Sequence, residues 1–207
     1  MSKLLPEFFR RQDERPDGYF YQHPRFVTHI DEAARQAAYT LYNELLPAGG
    51  HVLDLMASCV SHLPDKFAGV TGLGLNLEEL NANSLVSDPL VFDLNRSETL
   101  PLDTGRFSGA VCTVSVQYMT RPDDTFAEVA RSLEPGAPFV VTFSNRMFPT
   151  KAVLAWRVGD DASHVRLVRS YFEQTPAFGS TFSQHHQPAG GDPLYAVWAY
   201  KQSGVEA

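Results

Sequence analysis

Two acids stand where an apolar stretch would ordinarily carry none. Asp54 interrupts the run Val52 to Met56, and Asp93 lies near the end of the run Leu90 to Leu94. A carboxylate inside an apolar strand is costly unless it is partnered. Asp54 therefore orients the loop that follows, meets a ligand's ammonium group through water, or bonds to backbone as a structural group. Asp93 has the same choice, with Leu94 beside it for apolar contact. Further polar groups stand at the ends of other apolar runs: Ser115 near the end of GAVCTVSV with Gln117 and Tyr118 after it, and Asn145 and Arg146 after FVVTFS. Loop packing is the bland reading of the first set. His62 is either a base or a helix-start residue. His185 and His186 read as exposed. No cluster has metal-ligand spacing, and no nucleophile elbow or phosphate-loop pattern is present.

These residues require elements that deliver them to one place. HVLDLMASCVSHLP reads as a buried strand, a loop and the entry to a helix before a second strand at about Val70 to Leu75. Asn76 caps the next helix, with Glu78 and Glu79 in its first turn. Strand three is expected at Leu90 to Leu94 and strand four at about Gly109 to Val116. Pro122 opens a helix, and Pro135-Gly136 turns into strand five at Phe139 to Ser144. Helices are expected at about Thr150 to Val158 and Ala162 to Phe172. The last strands are Phe178 to Gln184 and Leu194 to Lys201, joined by a Pro- and Gly-rich hairpin. Ahead of these, Thr28 or Asp31 caps a helix to about Leu46, with Ile30, Ala34, Ala38, Leu41 and Leu45 on one face. Alternating strands and helices predict an α/β fold with a mostly parallel sheet, an antiparallel last strand and helices on both faces. Ligands bind such sheets beyond the carboxyl ends of the strands.

Composition bounds the partners. The 207 residues suffice for one domain with a full core, and 43% hydrophobic with 20% charged residues is ordinary for a globular chain. A net charge of −7 without a basic run disfavours nucleic acid. No apolar stretch approaches the roughly 18 residues that span a bilayer. The N-terminus lacks the pattern of a signal peptide. Two cysteines, Cys59 and Cys112, suggest reduced thiols and a cytoplasmic protein. A monomer or homodimer is expected. Residues 1–32 read as an arm, loosely held over its first 18 residues, and 33–207 as the single α/β domain.

From about Ala33 to Tyr200 the chain resembles the class I S-adenosylmethionine-dependent methyltransferases. VLDLMASCV sits where that family carries its first strand and a glycine-rich turn. VTGLGLNLEEL resembles its second strand and helix, and FDLN its third-strand acid. LPLDTGRFSGAVCTVSVQYM and EVARSLEPGAPFVVTFSNR resemble its fourth- and fifth-strand blocks. The resemblance implies a Rossmann-like seven-stranded sheet. It departs in two places. Met56, Ser58 and Val60 replace the glycines of the first turn. Gly74 stands where the family places the acid that holds the ribose.

The resemblance implies S-adenosylmethionine as cofactor, with no metal. Its contacts are expected from Asp54, Met56, Ala57, Ser58, Asn76, Asp93, Leu94, Asn95, Val114 and Ser115. Displacement at a sulfonium mainly needs alignment of acceptor, carbon and sulfur, so the missing catalytic dyad does not count against it. The acceptor is expected to be a small molecule. A thiol or sulfide is favoured because it ionises near neutral pH without a dedicated base. Tyr19, Arg25, His62, Gln117, Asn145 and Arg146 are candidates to hold it, and Tyr21, His29 and Tyr118 to act on it. Tyr19 to Asp31 is expected to lie over the site as a lid, against the alternative that it packs on the far face of the sheet. Arg25 is a candidate partner for the cofactor's carboxylate. Two other functions remain open: a non-catalytic binding or regulatory protein, and a nicotinamide enzyme. The glycines of GVTGLGL lack the spacing that the latter needs.

Overall fold

The structure is a computed structural model and describes residues 5–203. Residues 1–4 of the expected arm and 204–207 of the expected domain lie outside the described residues. Among the described residues the chain forms seven strands: β1 (His51–Leu55), β2 (Gly69–Gly74), β3 (Asp88–Val91), β4 (Gly109–Thr113), β5 (Pro138–Phe143), β6 (Phe182–His186) and β7 (Leu194–Tyr200). They make one sheet of order β3-β2-β1-β4-β5-β7-β6. All pairs from β3 to β5 are parallel, and β7 inserts antiparallel between β5 and β6. The expected fold class is the one observed.

The helices are α1 (Asp17–Phe20), α2 (Glu32–Leu45), α3 (Leu77–Ala82), α4 (Pro122–Ser132), α5 (Leu154–Val158) and α6 (Asp161–Glu173). Asp31 caps α2 by accepting from the Ala34 N–H at 2.9 Å. Thr28, the other candidate, turns its hydroxyl to the Ile30 carbonyl. The alternation of side chains along each strand divides the core. Val52, Val70, Val111 and Val140 face one side with Ala34, Ala38 and Leu41 of α2. Leu53, Leu73, Cys112, Phe139 and Val141 face the other, with Phe126 and Val129 of α4 and Val168 and Phe172 of α6. Each of the Val, Leu and Phe side chains contributes about 1.5–3 kcal/mol on leaving water. Phe126 and Phe172 meet edge to face at 4.8 Å.

Several expected boundaries move. No helix lies between β1 and β2. Residues 56–68 form an extended loop, because Pro64 bars helix through this stretch and side chains take up its polar groups. Strand four ends at Thr113, since Val114 turns the chain with φ 45° into a 3-10 turn at Val116–Tyr118. β3 stops before Asp93, whose carboxylate caps a short turn by accepting from the Asn95 N–H. α5 begins only at Leu154, because the preceding peptides fold back onto Phe148 and Gln117. β6 begins at Phe182, and Phe178 makes only an isolated bridge to Lys201.

The expectation of a loose arm is corrected over its described residues. Asp17 is 4% exposed and accepts two bonds from Arg11 Nη1, at 2.7 and 2.8 Å. It also accepts from Asn95 Nδ2 at 2.9 Å and lies 3.0 Å from Lys151 Nζ. Lys151, fully buried, donates in addition to the carbonyls of Asp13 and Arg15. Burial opposes ionisation of Asp17, but the bonds from Arg11, Asn95 and Lys151 outweigh it and hold its pKa below the ordinary value. Asp17→Asn removes the carboxylate shared by Arg11 and Lys151 and leaves Lys151 paired with Asp13 at 3.5 Å, so urea denaturation near neutral pH should show a loss of about 3–5 kcal/mol. A depressed carboxyl stabilises the fold above its unfolded pKa, and that contribution is lost as pH falls through the folded value. The acid limb of the stability profile should therefore be shallower in the variant.

Candidate functional site

β1 is flanked by β2 and β4, and the chain reverses its direction of travel across the sheet there. A cavity of about 290 Å³ opens at the carboxyl ends of these strands. Its floor is the loop after β1. The Ala57 N–H donates to the Leu73 carbonyl at 2.8 Å, which lays the loop across the end of β2. A Cβ on Gly74 would come within 2.3 Å of the Ala57 carbonyl oxygen. An acid has no room there, which explains the departure seen in the sequence.

A polar network fixes the loop. Ser61 donates to Asp54, Asn83 Nδ2 donates to Ser61 Oγ at 2.8 Å and to the Ser58 carbonyl at 2.9 Å. Asp54 thus has a loop-orienting bond, and burial, partly offset by Ser61, pushes its carboxyl up to about 7. Ser58 donates to Glu79 Oε2 at 2.6 Å. Met56, at a position where the resemblance implies glycine, keeps a glycine-like backbone with φ 58°. Met56, Val114 (φ 45°) and His29 (φ 63°) are the positive-φ residues other than glycine among the described residues, and all three line the cavity. Such strain persists where surrounding structure imposes it, commonly at functional sites.

The third-strand end supplies Phe92, Asp93, Leu94 and Asn95. Burial, reinforced by the charge of Asp17, raises the Asp93 pKa. Asn95 is spent as a strut, donating to Asp17 and the Tyr118 carbonyl and accepting from Thr120 N–H and hydroxyl. Asn76 is also occupied. Its amide oxygen caps α3, accepting from Glu78 and Glu79, and its Nδ2 donates to the Tyr21 carbonyl. From the fourth-strand end come Val114, Ser115 and Tyr118. Tyr118 accepts from the Phe148 N–H at 2.8 Å, and burial raises its pKa.

The arm forms the roof, so packing on the far face is excluded. Tyr21, Arg25 and His29 line the cavity. The Arg25 N–H donates to Glu79 Oε1 at 2.8 Å, and the Cys59 thiol faces the carbonyls of Arg25 and Val27. Burial raises the Tyr21 pKa strongly and lowers that of His29, which remains exposed to solvent over part of its surface. His62 lies on the wall, and burial with the charges of Arg35 and His29 brings it down to about 4. Arg146 also lines the wall, paired with Asp192 at 2.8 Å.

Three expected site residues are not on this cavity. Tyr19 is 66% exposed on the arm, because its short helix turns it outward. Asn145 is exposed beyond β5. Gln117 is buried behind the wall, where its Nε2 holds the Val114 carbonyl. Conversely, Asp17, Glu79, Thr113, Phe148 and Lys151 line the cavity and were not singled out. Glu79, three residues after the cap Asn76, reads in sequence as an ordinary first-turn acid. The lone lysine in FPTKAVLAW was a usable signal for Lys151.

The family model described as a methyltransferase domain matches residues 55–141. The chain also resembles solved structures. A phosphoethanolamine N-methyltransferase 2 of Haemonchus contortus, in complex with S-adenosyl-L-methionine, superposes with TM-score 0.59 at 11% identity, over 82% of this chain and 52% of that one. The [4+2]-cyclase SpnF gives 0.59 at 15% identity, over 84% and 82%. The chain shares its fold with these structures. A curated relative, the biotin biosynthesis bifunctional protein BioHC of Teredinibacter turnerae, is 26% identical over 115 residues, 56% of this chain. The match spans 18% of that relative's length. Among the described residues no helix is long and apolar enough to cross a membrane, and no group of three or more His, Cys, Asp or Glu is placed to hold a metal.

The strain at Met56 is testable. Met56→Ala and Met56→Gly remove the same packing beyond Cβ, but only glycine adopts φ 58° without penalty. The glycine variant should be the more stable by about 1 kcal/mol in urea denaturation, reversing the usual order of the two residues.

Proposed function

We propose that the protein is an S-adenosylmethionine-dependent methyltransferase acting on a small nucleophilic acceptor, a thiol or sulfide first among the candidates, in the cytoplasm. The observation that carries this reading is the cavity at the switch point of a class I methyltransferase fold, walled by Asp54, Glu79 and Asp93. The residues present fit the cofactor. Met56, Phe92 and Leu94 offer apolar surface to a purine, and Asp93 has carboxylate lone pairs beyond the one taken by Asn95. The acid-rich wall suits a cation. When bound, S-adenosylmethionine supplies an electrophilic methyl group on a positively charged sulfur.

The chain's own residues then orient the acceptor and exclude water. Tyr21 and Tyr118, their phenols held protonated by burial, serve as hydrogen-bond donors. His29, whose pKa is held below the ordinary value, is neutral near pH 7 and able to take a proton from an acidic acceptor. A thiol loses its proton readily enough to need no stronger base. The replacement of the first-turn glycines by Met56, Ser58 and Val60 motivates the second reading, a binding protein without turnover.

Calorimetry with S-adenosylmethionine, S-adenosylhomocysteine and NAD separates these readings. Either adenosyl ligand at a hundredfold excess over its dissociation constant should add about 2.7 kcal/mol of stability, and NAD nothing. Asp93→Ala should weaken binding by about 1–3 kcal/mol. With a panel of thiols, amines, phenols and acids, turnover is expected on thiols. Turnover confined to amines or carboxylates replaces the thiol reading, and binding without any turnover favours the regulatory one.

The roof segment Tyr19 to Asp31 is proposed to open for ligand exchange, since the cavity lies beneath it. Hydrogen exchange at residues 21–29 should slow when S-adenosylhomocysteine binds. Exchange there that ignores the ligand removes the lid from the mechanism.

A further inference from the structure

Arg25 carries a feature that the fold does not use. Its Nη2 donates to the Phe20 carbonyl at 2.8 Å. Its Nη1 is buried and has no hydrogen-bond partner among the described residues. Of the buried side-chain atoms in that condition, it is the one that belongs to a residue of the cavity wall. A buried donor left unpaired is expensive, and one on a guanidinium more so. The guanidinium carbon lies 4.3 Å from the centroid of the Phe20 ring, 5.5 Å from Tyr21 and 5.7 Å from Phe148. These rings screen the charge from water and hold the group still. The other cations on the wall are already matched. Lys151 lies 3.0 Å from Asp17, and Arg146 2.8 Å from Asp192. Glu79 accepts from the Arg25 backbone N–H, and Arg25 makes no ion pair among the described residues.

We propose that Arg25 and its aromatic collar form a subsite for one carboxylate group of a ligand in the cavity. One unmatched positive charge with a free N–H edge suits a monoanion. A phosphate dianion would need a second free cation, and Lys151 and Arg146 are committed. Two sources share this chemistry: the amino-acid end of the adenosyl cofactor and a carboxylate on the acceptor. The subsite rests on the methyltransferase reading only for the choice of nucleoside probes.

The test uses wild type, Arg25→Met and Arg25→Lys. All three keep the backbone bond to Glu79, so the roof retains its anchor. Calorimetry compares S-adenosylhomocysteine with 5′-methylthioadenosine, which lacks the amino-acid end. Thermal shift compares acetate and propionate with acetamide and propionamide. For a cofactor carboxylate, wild type should prefer S-adenosylhomocysteine at least tenfold, Arg25→Met should erase that margin without changing affinity for 5′-methylthioadenosine, and Arg25→Lys should restore part of it. If the nucleoside margin survives in Arg25→Met while the preference for carboxylates over amides disappears, the source is the acceptor. If both preferences survive in Arg25→Met, or wild type shows neither, the subsite is overturned. If wild type binds neither nucleoside, the methyltransferase reading falls and the carboxylate and amide series alone decides the subsite.

Discussion

The Ala57 peptide governs the site. Its N–H is held by the end of β2, and its carbonyl fills the space where Gly74 would need a Cβ. One short backbone contact has three consequences. It denies the second strand its acid. It brings Ser58 within reach of Glu79 on α3. Through Glu79 it ties the loop to the Arg25 backbone, and so to the roof. Floor, helix and roof share one carboxylate, and each oxygen of that carboxylate serves a different element. The absence of a crossover helix between β1 and β2 belongs to the same arrangement, because the loop spends its polar groups on β2, Asp54, Asn83 and Glu79.

The four carboxylates of the cavity wall occupy different environments. Asp17 is surrounded by donors and stays ionised, so it anchors the arm. Glu79 is consumed in joining loop to roof. Asp54 and Asp93 are the ones whose pKa values burial raises. A raised carboxyl is one that would gain from a cation or a hydroxyl brought alongside. Structural and ligand-directed acids thus separate by their partners, although all four sit around one space. The three strained backbones, at Met56, Val114 and His29, surround the same space. Packing determined over the whole domain imposes them, and none lies in the regular core.

Much of the fold was legible before the structure. Short apolar runs marked β1, β2, β4, β5 and β7, which are buried along nearly their whole length, whereas β6 is exposed throughout; the Asp31 and Asn76 caps and the Pro135-Gly136 turn marked the joins. These signals are local, and the chain obeys them. One boundary moved where a distant partner intervened, the Gln117 carbonyl that takes the Val153 N–H ahead of α5, and another where the backbone turns locally, at Val114 after β4. Residues at strand ends could be nominated as neighbours because parallel strands deliver their carboxyl ends to one edge. Asp54, Asp93 and Ser115 were found in that way.

The sequence by itself determined the alternation of elements, the acids at the strand ends and the resemblance that names the fold. Only the tertiary structure decided which polar groups remain free. Asn76 and Asn95 looked available, but their amides are spent on Tyr21 and on Asp17 and Tyr118. Glu79 and Lys151 looked ordinary, and long-range partners put them on the cavity wall. Arg25 and its collar combine the arm with Phe148, more than a hundred residues away, so no local pattern announces them. A hydrogen-bonding group's availability depends on what the rest of the chain brings against it, and that is a property of packing rather than of spacing.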